Sequence, residues 1–195
     1  MDKGIFSERE QAAEAAYFRQ HDARLVERLR QDAKLEEVAS ALAEKLHVDN
    51  PDLLQRARLV GVTAETAPAL LLAPLVQVAW VDGSVSGAEQ ATVLRIADDR
   101  GVGAGSPGYN QLAEWLRVRP SDALFDTAVE VIKYGLEVLS PEERDERITR
   151  IVQACHEVAE VSGGGLLKAL GLGSGVSGLE ASMLDTITGT LRGEG

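Results

Sequence analysis

The chain has 195 residues, 45% of them apolar, enough for one globular core with an appendage. Asp and Glu number 31 against 20 Lys and Arg, and the net charge of −11 argues against nucleic acid and anionic membrane surfaces as partners and favours cationic ones. The single cysteine, Cys155, excludes an intramolecular disulfide and fits a reducing, cytoplasmic setting.

Residues 1–31 read as a helix without a core of its own. Ser7 and Glu10 have the spacing of a capping box, in which each side chain satisfies a backbone N–H left unpaired by the first helical turn, so the helix is expected to start at about Ser7. Ala12, Ala13, Ala15 and Ala16 form helix well and bury little, while the aromatic groups of the first nineteen residues are confined to Phe6, Tyr17 and Phe18. The stretch GIFSEREQAAEAAYFR resembles the inhibitory segment of the mitochondrial F-type ATPase inhibitor family at Gly4, Phe6, Arg9, Glu10, Gln11, Ala12, Glu14, Tyr17, Phe18 and Arg19. That resemblance covers residues 4 to about 30. It implies a helix wedged into a catalytic interface of the rotary ATPase, stopping hydrolysis, with Phe6, Arg9, Glu10, Glu14, Tyr17, Phe18 and Arg19 on the catalytic subunits. The chain is expected to be cytoplasmic, and peripheral at the inner membrane only through such a partner. The lysine- and histidine-rich coiled coil that gives the family its dimerisation and pH response has no counterpart after Arg30. The acidic start lacks the basic region and apolar run of a secretory signal, and no such leader is expected.

Residues 32–49 read as a connecting helix. No glycine or proline occurs between Ser7 and Asn50, yet Phe18, Leu25 and Leu29 share one stripe while Leu35, Val38, Leu42 and Leu46 share another. Six residues from Leu29 to Leu35 turn a helix by roughly 600°, about 120° off the earlier face, so a kink is expected near Asp32. The remaining segment, 50–195, opens with a cap at Asn50-Pro51, and further caps are expected at Ser121-Asp122 and Ser140-Pro141. The longest apolar stretch, Ala67 to Val81, reads as a buried helix; Pro68, Pro74 and Gln77 interrupt it too often for a membrane span. Strand signals are weak throughout.

An internal repeat organises this last segment. VAWVDGSVSGAE (78–89) returns as VAEVSGG (158–164), eleven further residues and VSGLE (176–180). Ser86 with Glu89, and Ser177 with Glu180, are each spaced as capping boxes, and Val93 and Ile96 correspond to Leu184 and Ile187. Two related helical halves, about 50–119 and 120–195, are expected. The first copy resembles the TerB-like, or tellurite-resistance, family of all-helical bundles at Ala79, Asp82, Gly83, Val85, Ser86 and Glu89. The resemblance spans about residues 50–191 and implies an acidic bundle associated with stress responses. Metal binding near the repeated turns is also implied, with Asp82 and Glu89 as the candidate ligands of a divalent cation through hard carboxylate oxygens. The second copy has Ser162 in place of the aspartate and an insertion, 163–175. A turn former at Asp82 and a capping residue at Glu89 account for the same two residues and are the favoured explanation.

The glycines at 163–165, 171, 173 and 175 do not make a phosphate loop, because no strand precedes them and no Gly-Lys-Ser/Thr follows. Cys155 and His156 are adjacent, so on a helix they point about 100° apart and cannot form a nucleophile pair. The reading is therefore an all-α, non-catalytic protein: a helical bundle of two pseudo-symmetric repeats with an N-terminal helical arm. Its leading function is docking onto a protein partner, foremost an F-type ATPase; the alternative is a TerB-like cation-binding stress protein.

Overall fold

The computed structural model describes residues 19–33, 36, 38, 40, 44, 48–162 and 178–193. Every regular element among them is an α-helix, as the sequence implies, and none of these helices is long and apolar enough to cross a membrane. A helical stretch covers residues 19–33. Eight helices follow: α1 (Pro51–Leu59), α2 (Ala67–Leu70), α3 (Ala73–Ala79), α4 (Gly87–Asp99), α5 (Pro107–Arg117), α6 (Asp122–Glu137), α7 (Pro141–Ser162) and α8 (Gly178–Arg192).

Local hydrogen bonds set four of the starts. Asn50 Oδ1 accepts from the N–H groups of Asp52 (3.0 Å) and Leu53 (3.3 Å), with Pro51 in the first turn, where its missing N–H costs nothing. Ser140 and Glu143 cap α7 reciprocally: the serine hydroxyl accepts from Glu143 N–H at 3.3 Å, and the Glu143 carboxylate accepts from Ser140 N–H at 3.1 Å. The Ser140 bonds, side chain first and backbone second, hold the Glu143 carboxyl below its ordinary range. Ser121 stands at the N-cap of α6 with extended backbone, but its side chain makes no capping bond. Ser106 caps α5 through Tyr109 N–H at 3.1 Å, followed by Pro107, a signal of the same kind as Asn50-Pro51.

The apolar stretch expected as one buried helix is two short ones, α2 and α3. Pro74 supplies the reason: it has no N–H to donate, and its ring would clash with the carbonyl four residues back, that of Leu70, where α2 ends. The resulting α3 occupies the middle of the bundle, touching α4, α5, α6, α7 and α8. Six of its residues, Ala73, Pro74, Leu75, Val76, Val78 and Ala79, are buried. Around it, α7 packs on α4 and α8, α6 packs on α1 and α8, and α5 packs on α2 and α4. Trp80 closes the seam to α5 by donating its indole N–H to the Trp115 carbonyl at 2.7 Å. Ion pairs between Arg56 and Glu130 and between Arg95 and Glu157 link α1 to α6 and α4 to α7. Their side chains are about half exposed, so each adds little beyond register.

Some positions aligned by the repeat have similar burial: Val78 and Ala79 of α3 and Val158 and Ala159 of α7 are fully buried, and Val93 and Ile96 of α4 and Leu184 and Ile187 of α8 nearly so, whereas Trp80 is half-buried and Glu160 exposed. The helices themselves differ in length, seven residues for α3 and 22 for α7. The core extends beyond residue 50 toward the N-terminus: Val38 (2% exposed) and Val48 (0%) belong to it. The connecting segment thus contributes to the body's packing.

Candidate functional site

Of the seven expected docking residues, Phe6, Arg9, Glu10, Glu14, Tyr17 and Phe18 lie outside the described residues, as does Ser7. Arg19 is the first residue of the described helical stretch and is exposed. Every residue from 19 to 33 is exposed, including Leu25 (48%), Val26 (46%) and Leu29 (59%). Leu25 and Leu29, four residues apart, share a face, with Val26 beside them. A core helix would bury such a stripe against a neighbour. Here it stands in solvent alongside Arg24, Arg28 and Glu27. The described helix includes Asp32 and reaches residue 33; residues 34 and 35, where the kink expected near Asp32 could also fall, lie outside the described residues. Its inner edge, at Glu27, Arg30 and Gln31, faces the turn after α1 across an open groove of about 480 Å³, and Val38 is the first described residue to enter the core.

The two candidate cation ligands differ in environment. Asp82 is exposed in the turn after α3, beside Gly83, whose φ of +82° is the left-handed conformation that glycine tolerates. Glu89 is only 3% exposed, and its carboxylate accepts from Ser86 N–H at 2.6 Å while Ser86 Oγ accepts from Glu89 N–H at 3.2 Å, a complete capping box. The Glu89 carboxylate is therefore engaged at the start of α4. Glu180 holds the same third position in α8 and is fully buried. Among the described residues, no group of three or more His, Cys, Asp or Glu side chains is placed to hold a metal. Ser86→Ala should lower stability by about 1 kcal/mol, or about 2–4 °C in melting temperature, by removing one half of the box. Millimolar calcium, magnesium or zinc should move the melting temperature by less than about 1 °C, whereas a cation bound only by the folded chain would raise it by mass action. A rise of many degrees, abolished by Asp82→Asn, would establish the site.

Cys155 is fully buried in α7, and burial pushes its thiol up to about 12 against a smaller opposing pull from Arg100. His156 points to the surface beside Glu160, Nδ1 to Oε1 3.6 Å. The pair has neither the thiolate nor the geometry of a nucleophile and base. Iodoacetamide at pH 8 should leave the native thiol intact for hours and alkylate it fully in guanidinium. Because the folded thiol keeps its proton where the unfolded one releases it, this contribution to stability is complete below the ordinary value of 9.0. It declines as pH rises toward about 12.

One arrangement has no local signature. Arg147 and Arg150, three residues apart on α7, converge with Arg100 from the end of α4 at the mouth of a cleft floored by apolar residues. Their spacing within α7 can be read from sequence, but the approach of Arg100, about fifty residues earlier, is tertiary. Comparison with family models, curated proteins and solved structures returned no match.

Proposed function

We propose that the chain is a non-catalytic docking protein, in which the helical body carries an N-terminal helix that inserts into a protein partner, foremost the catalytic subunits of an F-type ATPase. The observation that carries this reading is the exposure of the whole stretch 19–33 with Leu25, Val26 and Leu29 unburied. An amphipathic helix commonly docks by laying such a stripe into a partner's groove. Its continuation toward the N-terminus holds the segment that resembles the ATPase inhibitor family, which supplies the choice of partner. The cation-binding alternative has less support, since the capping box already employs the Glu89 carboxylate. Full-length protein at micromolar concentration should slow ATP hydrolysis by purified F-type ATPase, and residues 34–195 alone should not. Equal hydrolysis rates with and without full-length protein would rule out this partner.

A further inference from the structure

The cleft behind Arg100 has a volume of about 590 Å³, within the range of small-molecule sites. It lies between the α2–α3 connection, the residues after α4, the C-terminal half of α6 and α7. Its floor is formed by Leu72, Val102, Ile132, Leu136 and Ile151, each less than 8% exposed. The mouth carries Arg100, Arg147 and Arg150, all exposed. No Asp, Glu, Ser, Thr, Asn or Gln side chain is among the described lining residues, in a chain whose net charge is −11.

The three arginines have spare donor capacity. Arg150 pairs with Glu146 one turn back on α7, and Arg100 donates one N–H to the Arg150 carbonyl at 3.2 Å. Arg147 makes no ion pair within 4 Å among the described residues; the Glu143 carboxylate one turn before it is hydrogen-bonded to Ser140 and feels the Arg147 charge only weakly. By contrast, neighbouring Arg144 donates to the carbonyls of Leu136 (3.1 Å) and Glu137 (3.2 Å) at the end of α6, a capping role. Desolvation, opposed by a smaller contribution from Cys155 and reinforced by still smaller ones from Arg147 and Arg150, lowers the pKa of the Arg100 guanidinium.

We propose that this cleft binds a single-chain anionic amphiphile, its carboxylate or phosphate head held by Arg100, Arg147 and Arg150 and its alkyl chain laid on the Leu72–Ile132–Leu136–Ile151 floor. Three guanidinium groups supply the bidentate donors that such heads accept. The floor selects an alkyl chain over a peptide, because a peptide would bring backbone amides onto a surface that has no uncharged polar side chain to receive them. Each buried methylene is worth about fourfold in affinity, so chain length should govern binding.

Calorimetric titration of the full chain with dodecanoate, dodecyl phosphate, hexanoate and dodecylammonium, each below its aggregation concentration, tests this. Dodecanoate and dodecyl phosphate should bind one per chain, hexanoate at least 100-fold more weakly, and dodecylammonium at least tenfold more weakly. Arg147→Glu, an exposed change that leaves the helical circular dichroism intact, should weaken dodecanoate at least tenfold, and Arg147→Lys should restore part of that loss. Methyl NMR shifts on adding dodecanoate should centre on Ile132, Leu136 and Ile151. Equal binding of dodecanoate and dodecylammonium, no dodecanoate binding, an unaffected Arg147→Glu variant, or shifts centred elsewhere would each overturn the proposal.

Discussion

Leu75→Ala should destabilise the body by about 2–5 kcal/mol, while Leu29→Ala should change stability by less than about 0.5 kcal/mol. The two substitutions remove the same atoms. Leu75 is 0% exposed in α3, the short helix that five others surround, so its deletion leaves a cavity that these neighbours close only in part. Leu29 is 59% exposed, and truncating it gives up little buried area. Since a domain of this kind has about 5–15 kcal/mol of net stability, the first change removes a large share of it. Urea unfolding of both variants checks the contrast. Similar losses would mean that the arm packs in solution as firmly as the core does.

Tyr17→Ala and Phe18→Ala should each weaken partner binding by about 2 kcal/mol, close to 30-fold in Kd, whereas Gln20→Ala should leave it within about threefold. Interface energy concentrates in a few aromatic and arginine anchors, and the alanine-rich composition of residues 4–19 offers only Phe6, Tyr17 and Phe18 as aromatic groups. Gln20 is exposed in the described helix. A binding titration against F-type ATPase, with thermal unfolding of each variant measured alongside, separates loss of docking from loss of fold. If all three variants bind alike, the aromatic pair is not the anchor.

How much could be read from the sequence depends on the range of the interaction. The caps at Asn50, Ser86 and Ser140 are visible because each is a bond between residues two or three apart, and Ser106-Pro107 carries the same signal. The break at Pro74 is also local, but apolar content alone reads Ala67 to Val81 as continuous and conceals it. Val38 lies on the Leu35–Val38–Leu42–Leu46 stripe, but the stripe by itself does not say that it packs into the core, where the structure places Val38. The central place of α3 and the meeting of Arg100 with Arg147 and Arg150 depend on how whole helices pack, which no window of sequence contains. For the arm, the sparse apolar stripe is legible, and so is its consequence at Leu25 and Leu29. Asp82 and Glu89 share a motif, but only the three-dimensional arrangement shows one exposed and the other engaged in a cap.

The separability of arm and body is tested most directly by thermal unfolding of the full chain against residues 34–195. The truncation removes the exposed stretch and keeps Val38 and Val48 in the core. A single cooperative transition with a midpoint within about 2 °C of the full chain's is expected, since a body of this size loses only about 2–4 °C per kcal/mol. A midpoint lowered by 10 °C or more, or loss of the cooperative transition, would show that the arm is part of the fold.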